Sequence, residues 1–447
     1  MAASLRRSFV LVLLLVLASL PRGAFAQQPA AAGSSGTLPL TLKQAVQLAL
    51  KQSPQRVIAR LLVGESDRNS QIARSALLPQ AGIAAAGSLN QYNVQSIERS
   101  EVRAPAGPFA FIQAGPVFSQ TILNLPEIRG YQIGREGTRE ARADERTTRE
   151  TVVDAVVSQY LAILRAIALR DAAKARVALA QRLYDQAAQL QKTGVGLNID
   201  AVRANVELQN EKQNLIDAET ETRTTAYGLA ELLDLPRDQE VEATDQLGFF
   251  DLPAVDRETT LNQALIQRPE MASLDSQMRG ARLSVDSARE ERLPQLNFSG
   301  FWVYQGAHFD NGIPTYSYEA SMEFPLFTGG RIHAEVEKEK LEEQRIEENR
   351  RAEEAQIVDQ VKTALDQLNA ARSAVDVANQ GYALAQEEVA QAQRRFAAGV
   401  TTNIEVITAQ DELARASDNQ IDALYRFNIS RADLARATGT IESMYSK

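Results

Sequence analysis

Gly194-Val195-Gly196-Leu197-Asn198-Ile199-Asp200 returns 205 residues later as Gly399-Val400-Thr401-Thr402-Asn403-Ile404-Glu405. In the same register Ala204 meets Ala409, Leu208 meets Leu413, and Asn214-x-Ile216-Asp217-Ala218 meets Asn419-x-Ile421-Asp422-Ala423. Nearer the start of each half, Leu78-Pro79-Gln80 recurs as Leu293-Pro294-Gln295, and Ala49-Leu50-Lys51-Gln52-Ser53-Pro54 as Ala264-Leu265-Ile266-Gln267-Arg268-Pro269. The chain is therefore a duplication that covers nearly all of its length.

Just before each glycine lies a long heptad seam. Val361, Ala364, Leu368, Ala371, Val375, Ala378, Tyr382, Ala385, Val389, Ala392 and Phe396 alternate steps of three and four, the spacing of a coiled coil. One column is large and the other is alanine throughout, which lets helices approach closely. The shifted positions of the first half keep the pattern with three polar intrusions, Gln159, Arg170 and Gln191. A period of seven predicts a left-handed supercoil. The helices are expected to begin near Leu125-Pro126-Glu127 and Gly330-Arg331; roughly 70 residues at about 1.5 Å each makes on the order of 100 Å. Gly194 and Gly399 can take the left-handed conformation that ends a helix, and Asn198 and Asn403 are expected to cap the returning helices. Two long antiparallel hairpins with exposed tips follow, spanning about 125–235 and 330–438. The charge-rich run from Glu335 to Glu354 reads as the solvated face of one of them.

The stretches between helices have a different period. Tyr316, Tyr318, Ala320, Met322 and Phe324 alternate with Ser317, Glu319, Ser321 and Glu323; Leu296, Phe298, Gly300, Trp302 and Tyr304 alternate with Asn297, Ser299, Phe301 and Val303. An apolar face backed by a polar one, over about ten residues, is the pattern of a membrane barrel strand. Strands are expected at about 295–305 and 315–327, joined through His308-Phe309-Asp310-Asn311-Gly312-Ile313-Pro314. The first half has weaker counterparts at about 80–92 and 109–122, with Glu98, Arg99, Glu101 and Arg103 in the loop between. Four strands cannot close a barrel, whereas copies from several chains can.

The start of the chain supplies an address. Arg6 and Arg7 precede an apolar run from Phe9 to Leu20, then Pro21 and Ala24-Phe25-Ala26. That reads as a signal peptide over residues 1–26. The run is about a dozen residues, short of a bilayer-spanning helix. No later stretch of 18 uninterrupted apolar residues occurs, so any entry into a membrane is expected to use strands. The formal charge of −9 becomes −12 when the leader's Arg6, Arg7 and Arg22 are removed, a poor match for nucleic acid.

Chemistry is sparse. The absence of cysteine excludes disulfides, thiolate metal sites and N-terminal lipidation. His308 and His333 are the only histidines and neither has ligand spacing. No nucleophile elbow or phosphate loop is present, and the carboxylates follow helix surfaces. No catalytic, cofactor or metal site is expected. Asp200 and Glu405 stand out because they occupy matching places about one turn past the tips. Packed around an axis they would ring a tunnel mouth and favour cations; each is also an acid near a helix N-terminus, complementing the dipole. Both readings stay open.

The tip pattern Phe396-x-x-Gly399-x-x-x-x-Ile404-Glu405-Val406-Ile407-x-Ala409-Gln410-x-x-Leu413, and Phe324-Pro325-Leu326-Phe327-Thr328-Gly329-Gly330-Arg331 where a strand passes into a long helix, resemble the TolC-like outer-membrane efflux protein family. The resemblance covers essentially all of the chain after the leader. It implies a mainly α protein with a β-barrel part: a homotrimer whose twelve-stranded membrane barrel continues into a periplasmic coiled-coil tunnel. Each protomer holds two helix-strand-strand-helix repeats, 27–240 and 260–447, around an equatorial linker, 241–259. It implies outer-membrane lipid around the barrel and a periplasmic adaptor docked on the tips at Gly194, Val195, Gly196, Leu197, Gly399, Val400, Thr401 and Thr402. It also implies an inner-membrane pump or secretion ATPase as the energy source, and an acidic constriction at Glu405 and, by the repeat, Asp200. Thr408 stands where some relatives carry a second acid, and Phe396 and Thr401 lack the phenolic and guanidinium groups such tips use for locking. Ile122-Leu123-Asn124-Leu125-Pro126 replaces the Gly-Gly form of the junction in the first half. The alternative from another class is a soluble periplasmic coiled-coil scaffold of the envelope with a small sheet.

Overall fold

A computed structural model describes residues 36–93, 105–194, 196–250, 256–308 and 310–446. The leader, the loop charges Glu98, Arg99, Glu101 and Arg103, and the single residues Val195 and Phe309 lie outside the described residues. In chain order the elements are β1 (Thr37–Leu40), α1 (Leu42–Gln52), α2 (Pro54–Ser75), β2 (Gln80–Asn93), β3 (Pro105–Leu123), α3 (Leu125–Lys192) and α4 (Asn198–Leu232). The second half follows with β4 (Glu240–Ala243), α5 (Arg257–Gln267), α6 (Pro269–Glu290), β5 (Gln295–Gly306), β6 (Ile313–Glu323), α7 (Arg331–Ala397), α8 (Asn403–Ala437) and the short α9 (Ile441–Tyr445).

The long helices α3 and α7 have 68 and 67 residues, twice the length of the returning α4 and α8. The difference is made up by the short helices: α2 packs on the upper part of α3, and α6 on α7, so that each long helix is partnered along its whole length by two shorter ones. Proline opens both short helices, Pro54 and Pro269, where its missing N–H costs nothing. The entry to α3 is capped by Asn124, whose side chain accepts from the Glu127 N–H at 3.3 Å. That of α7 is turned by Gly329 and Gly330, at φ 62° and 86°.

The expected seam is the observed interface. Val361, Leu368, Val375, Val389 and Phe396 are buried, as are Ala364, Ala371, Ala385 and Ala392. The polar intrusions of the first half find partners. Gln159 donates to the Thr225 carbonyl at 2.8 Å across the hairpin, and Gly228 leaves the room: a Cβ there would sit 2.6 Å from the Gln159 amide nitrogen. Arg170 pairs with Asp171 and Gln191 with Asn198.

The four long strands form one antiparallel sheet in the order β2-β3-β5-β6. Register puts Leu296 opposite Met322, Phe298 opposite Ala320, and Trp302 opposite Tyr316, so the aromatic positions share one face. Asn297 opposite Ser321 and Ser299 opposite Glu319 share the other. The fourth strand ends at Glu323, short of 327, because Pro325 removes a ladder donor and the two glycines turn the chain. The strand at the first half's second position starts at Pro105, earlier than 109.

Where the short helices meet end to end, β1 pairs in parallel with β4 and a core gathers around Tyr160, with Val46, Val153, Val156, Val157, Leu229 and Leu233 fully buried. The Tyr160 hydroxyl bonds the Leu40 carbonyl and the Asp245 carboxylate, both at 2.8 Å. This core accounts for the apolar character of α3: half of its most apolar 18-residue stretch is buried inside the chain.

Beside it, charge ties the two repeats. Arg436 of α8 reaches Glu150 of α3 and Glu270 of α6, each at 3.0 Å, and Arg268 holds Glu270 at 3.0 Å. Burial pushes the Glu150 carboxyl up to about 6 against the pull of Arg436, and raises Asp154 and Asp433 nearby. With the folded pKa above the unfolded one, the fold binds the extra proton between about pH 4.3 and pH 6, so stability falls as pH rises through that window. Glu150→Gln should therefore raise the unfolding free energy of the detergent-solubilised protein at pH 7.5, by about 2 kcal/mol at most, with a higher thermal transition as the readout. The gain should vanish at pH 4; a gain independent of pH would show that charge at Glu150 is not the cause.

Candidate pore constriction and docking tips

Each hairpin turns on a glycine that no other residue could replace without strain. After α3, Gly194 has φ 74° and the Gly196 N–H closes back on the Leu190 carbonyl at 2.9 Å. After α7, Gly399 has φ 71° and the Val400 N–H bonds the Arg395 carbonyl at 3.0 Å. These are the bonds that satisfy the last helical carbonyls. Gly196 is needed for space: a Cβ there would lie 2.8 Å from that of Leu190.

The returning helices are not capped as expected. Their N-cap positions are Leu197 and Thr402, with no side-chain cap, and the two asparagines are the first helical residues. Asn403 is fully buried, because its amide is drawn across to the other hairpin, where Nδ2 donates to the Asp200 carbonyl at 2.9 Å. Asn198 accepts from Gln191 at 2.8 Å within its own hairpin. Matching sequence positions thus do different work, since only one of them faces the seam between hairpins.

That seam is apolar at the tip. Leu183 and Ala187 of α3, Ala201 and Ala204 of α4, Val389, Ala392 and Phe396 of α7, and Val406 and Ala409 of α8 form one cluster. The four helices therefore end as a single packed unit. Glu405 lies in the first turn of α8 and Asp200 in the first turn of α4, where each complements the helix dipole. Arg395 Nε stands 3.0 Å from Glu405, and the Thr401 hydroxyl bonds the same carboxylate. Arg203 stands 3.9 Å from Asp200. Thr401, expected only as part of the tip surface, is thus also a partner of the acid, and Arg395 was not foreseen at all. Its sign was in the sequence, a basic residue in the last turn before Gly399, but pairing across a turn needs the turn geometry.

Higher up, the hairpins are stapled by charge. Arg165 of α3 meets Asp422 of α8 at 2.7 Å, and Arg176 meets Asp418 at 2.8 Å and Glu211 at 3.3 Å. A cavity of about 340 Å³ opens between all four helices there, lined by Arg176, Glu207, Glu211, Asp411 and Tyr382 among others. Burial, then Asp411 and Glu211, raise the Glu207 carboxyl. Among the described residues no group of His, Cys, Asp and Glu has the arrangement of a metal site.

A duplicated pair of coiled-coil hairpins hung from a four-stranded sheet with an apolar outer face defines a class, the channel-forming proteins of the outer membrane. The sequence profile of the outer membrane efflux protein family matches residues 45–234 and 260–440, and the chain belongs to that family. Its place is the outer membrane, with the hairpins forming a large periplasmic part. The outer membrane protein TolC of Vibrio cholerae serotype O1 is 23% identical over 384 residues, 82% of this chain and 83% of that relative. The pyoverdine export outer membrane protein OpmQ of Pseudomonas putida is 23% identical over 288 residues, 63% of this chain and 60% of the relative. The crystal structure of the Campylobacter jejuni CmeC outer membrane channel superposes with a TM-score of 0.75 at 19% identity, covering 90% of this chain and 86% of that one.

The tip geometry gives a paired expectation for stability. Gly399→Val should cost about 1–2 kcal/mol by forcing a side chain into the left-handed region. Gly381→Ala, in the open middle of α7 with nothing near its missing Cβ, should gain about 0.5–1 kcal/mol. Thermal denaturation of the two variants beside the parent checks both signs.

Proposed function

We propose that three copies of this chain form the passive exit duct of a tripartite efflux or type I secretion system. The observation that carries the reading is the sheet: β2 and β6 each lack a second strand neighbour among the described residues, while one sheet face is strongly apolar. An unpaired edge inside a bilayer leaves a row of N–H and C=O groups unsatisfied, so the edge of one copy must pair with the opposite edge of the next. Three copies supply twelve strands, and the twelve long and returning helices beneath them continue the barrel as a tunnel. The pairing of hairpins by polar staples above an apolar tip suits a packing that dilates at its end. Periplasmic adaptor contacts fall on the turn residues, 194–197 and 399–402. Energy and cargo choice belong to an inner-membrane pump or secretion ATPase. Glu405 and Asp200, one set from each copy, form the narrow acidic end of the duct, with Arg395 and Thr401 holding the Glu405 carboxylate in place.

Two measurements test this. The detergent-corrected mass of the particle from outer membranes should be that of a trimer; a monomer released without detergent would return the chain to an envelope scaffold. In planar bilayers the trimer should conduct with a preference for cations, and Glu405→Gln with Asp200→Asn should weaken that preference. An unchanged reversal potential would remove both acids from the constriction.

A further inference from the structure

The repeat also assigns the contact between copies, residue by residue, and the proposal rests on the three-copy reading above. Within one chain the helices beneath the barrel lie in the order α7, α6, α3, α2, since α6 packs on both α7 and α3, and α2 packs on α3. The strands run in the same sense, β6, β5, β3, β2. Both layers therefore end with the first repeat on one side and the second on the other. Pairing β2 of one copy with β6 of the next brings α2 alongside the next copy's α7, because each helix is joined directly to its strand.

The contact this makes has a template inside the chain. The second repeat's short helix, α6, already packs on the first repeat's long helix, α3, through Arg279 and Glu136 at 2.8 Å, Gln277 and Glu140 at 2.9 Å, and Arg129 and Glu290 at 2.7 Å. Six repeats around a ring reproduce that contact between α2 and the next copy's α7. The offsets are set by the helix ends: Pro269–Glu290 repeats Pro54–Ser75 at a shift of 215, and α7 repeats α3 at a shift of 205. Arg279 then falls on Gly64, Glu136 on Leu341, Gln277 on Leu62 and Glu140 on Arg345.

Exposure marks the same faces. Ser273 and Ser276 of α6 are 6% and 3% exposed, whereas their counterparts Ile58 and Leu61 on α2 are 57% and 65% exposed. Glu136 is 8% exposed and its counterpart Leu341 is 66% exposed. Ser273, Ser276 and Glu136, covered within the chain, are polar, and their bare equivalents Ile58, Leu61 and Leu341 are large and apolar; Arg345, in the place of Glu140, is the charged exception. Gly64 completes the fit, for nothing lies within 4 Å of where its Cβ would be.

We infer that Ile58, Leu61 and Leu62 of α2 form an apolar seam with Leu341 of a neighbouring copy of this chain, Leu341 seating over Gly64. The duct is thus held by two chemically distinct joints: an ionic one between repeats of a chain and an apolar one between chains. Charge at the first keeps the two repeats of one chain in register; at the second, where Arg345 is the one charged residue among the four counterparts, none of those ion pairs is repeated.

Cysteine cross-linking tests it in a chain that has no cysteine of its own. Gly64→Cys combined with Leu341→Cys, treated with a short bis-maleimide in outer membranes, should shift most of the chain into linked dimer and trimer. Gly64→Cys with Val377→Cys, exposed far down the same helix, should not. A particle of trimer mass in which the first pair stays unlinked, or links no better than the second, overturns the seam and leaves the duct standing; a monomeric particle overturns both. A second test does not depend on the cysteine variants folding. Leu341→Glu should lower by several degrees the temperature at which the trimer dissociates in mild detergent, and adding Gly64→Arg, which installs the pair seen at Glu136 and Arg279, should restore it. Failure of the second change to restore what the first removed also overturns the seam.

Discussion

A sheet edge has no acceptable state in a bilayer except to be paired. Each bare N–H or C=O in hydrocarbon costs several kcal/mol, far more than any of the helix contacts below the membrane contributes singly. In this chain the sheet ends at β2 and β6, and that constraint reaches down through the covalent joints. In the three-copy reading proposed above, β2 meets β6 of another copy, α2 and α7 are delivered to each other, and the helical layer has to provide surfaces that tolerate or favour the meeting.

Below the membrane the problem is the reverse. Helices satisfy their own backbone, so what must be settled is which helix sits beside which. Alternating large residues and alanine in the seam permit close approach, and polar residues then pick the register: Gln159 in its glycine gap, Arg165 on Asp422, Arg176 on Asp418. At the equator the choice is made more expensively, with Glu150, Glu270, Arg268 and Arg436 largely removed from water. Such a network contributes little net stability, yet leaving any member unpaired is costly, so it enforces one arrangement of the two repeats. Among the described residues the tip has no comparable lattice. Asn403 is the one side-chain clasp between the hairpins among the described hydrogen bonds there, over an apolar cluster rich in alanine.

Much of this was legible in the linear sequence because it repeats at short range. Heptad spacing, alternation in the strands and the glycines at 194 and 399 are local statements about backbone period and φ, and they locate helices, strands and turns within a few residues. Errors arose where a side chain had two possible partners. Asn198 and Asn403 hold identical places in the repeat and both look like caps; only the position of the second hairpin decides that Asn403 turns inward. Arg395 is hidden from a linear reading for the same reason, since its partner Glu405 lies beyond a turn whose geometry decides the pairing.

By itself, then, the sequence determined the class of the protein: two copies of one unit, long helices joined by glycine turns, strands with a dry and a wet face. Those features depend on residues a few positions apart, where chain geometry leaves few alternatives. Tertiary structure alone decided which equivalent positions differ in role. Glu136 and Leu341 occupy the same place in the repeat, yet one is covered within the chain and the other is bare. The difference arises because a chain of two repeats has two ends, and an end is a property of the folded arrangement that no local pattern records.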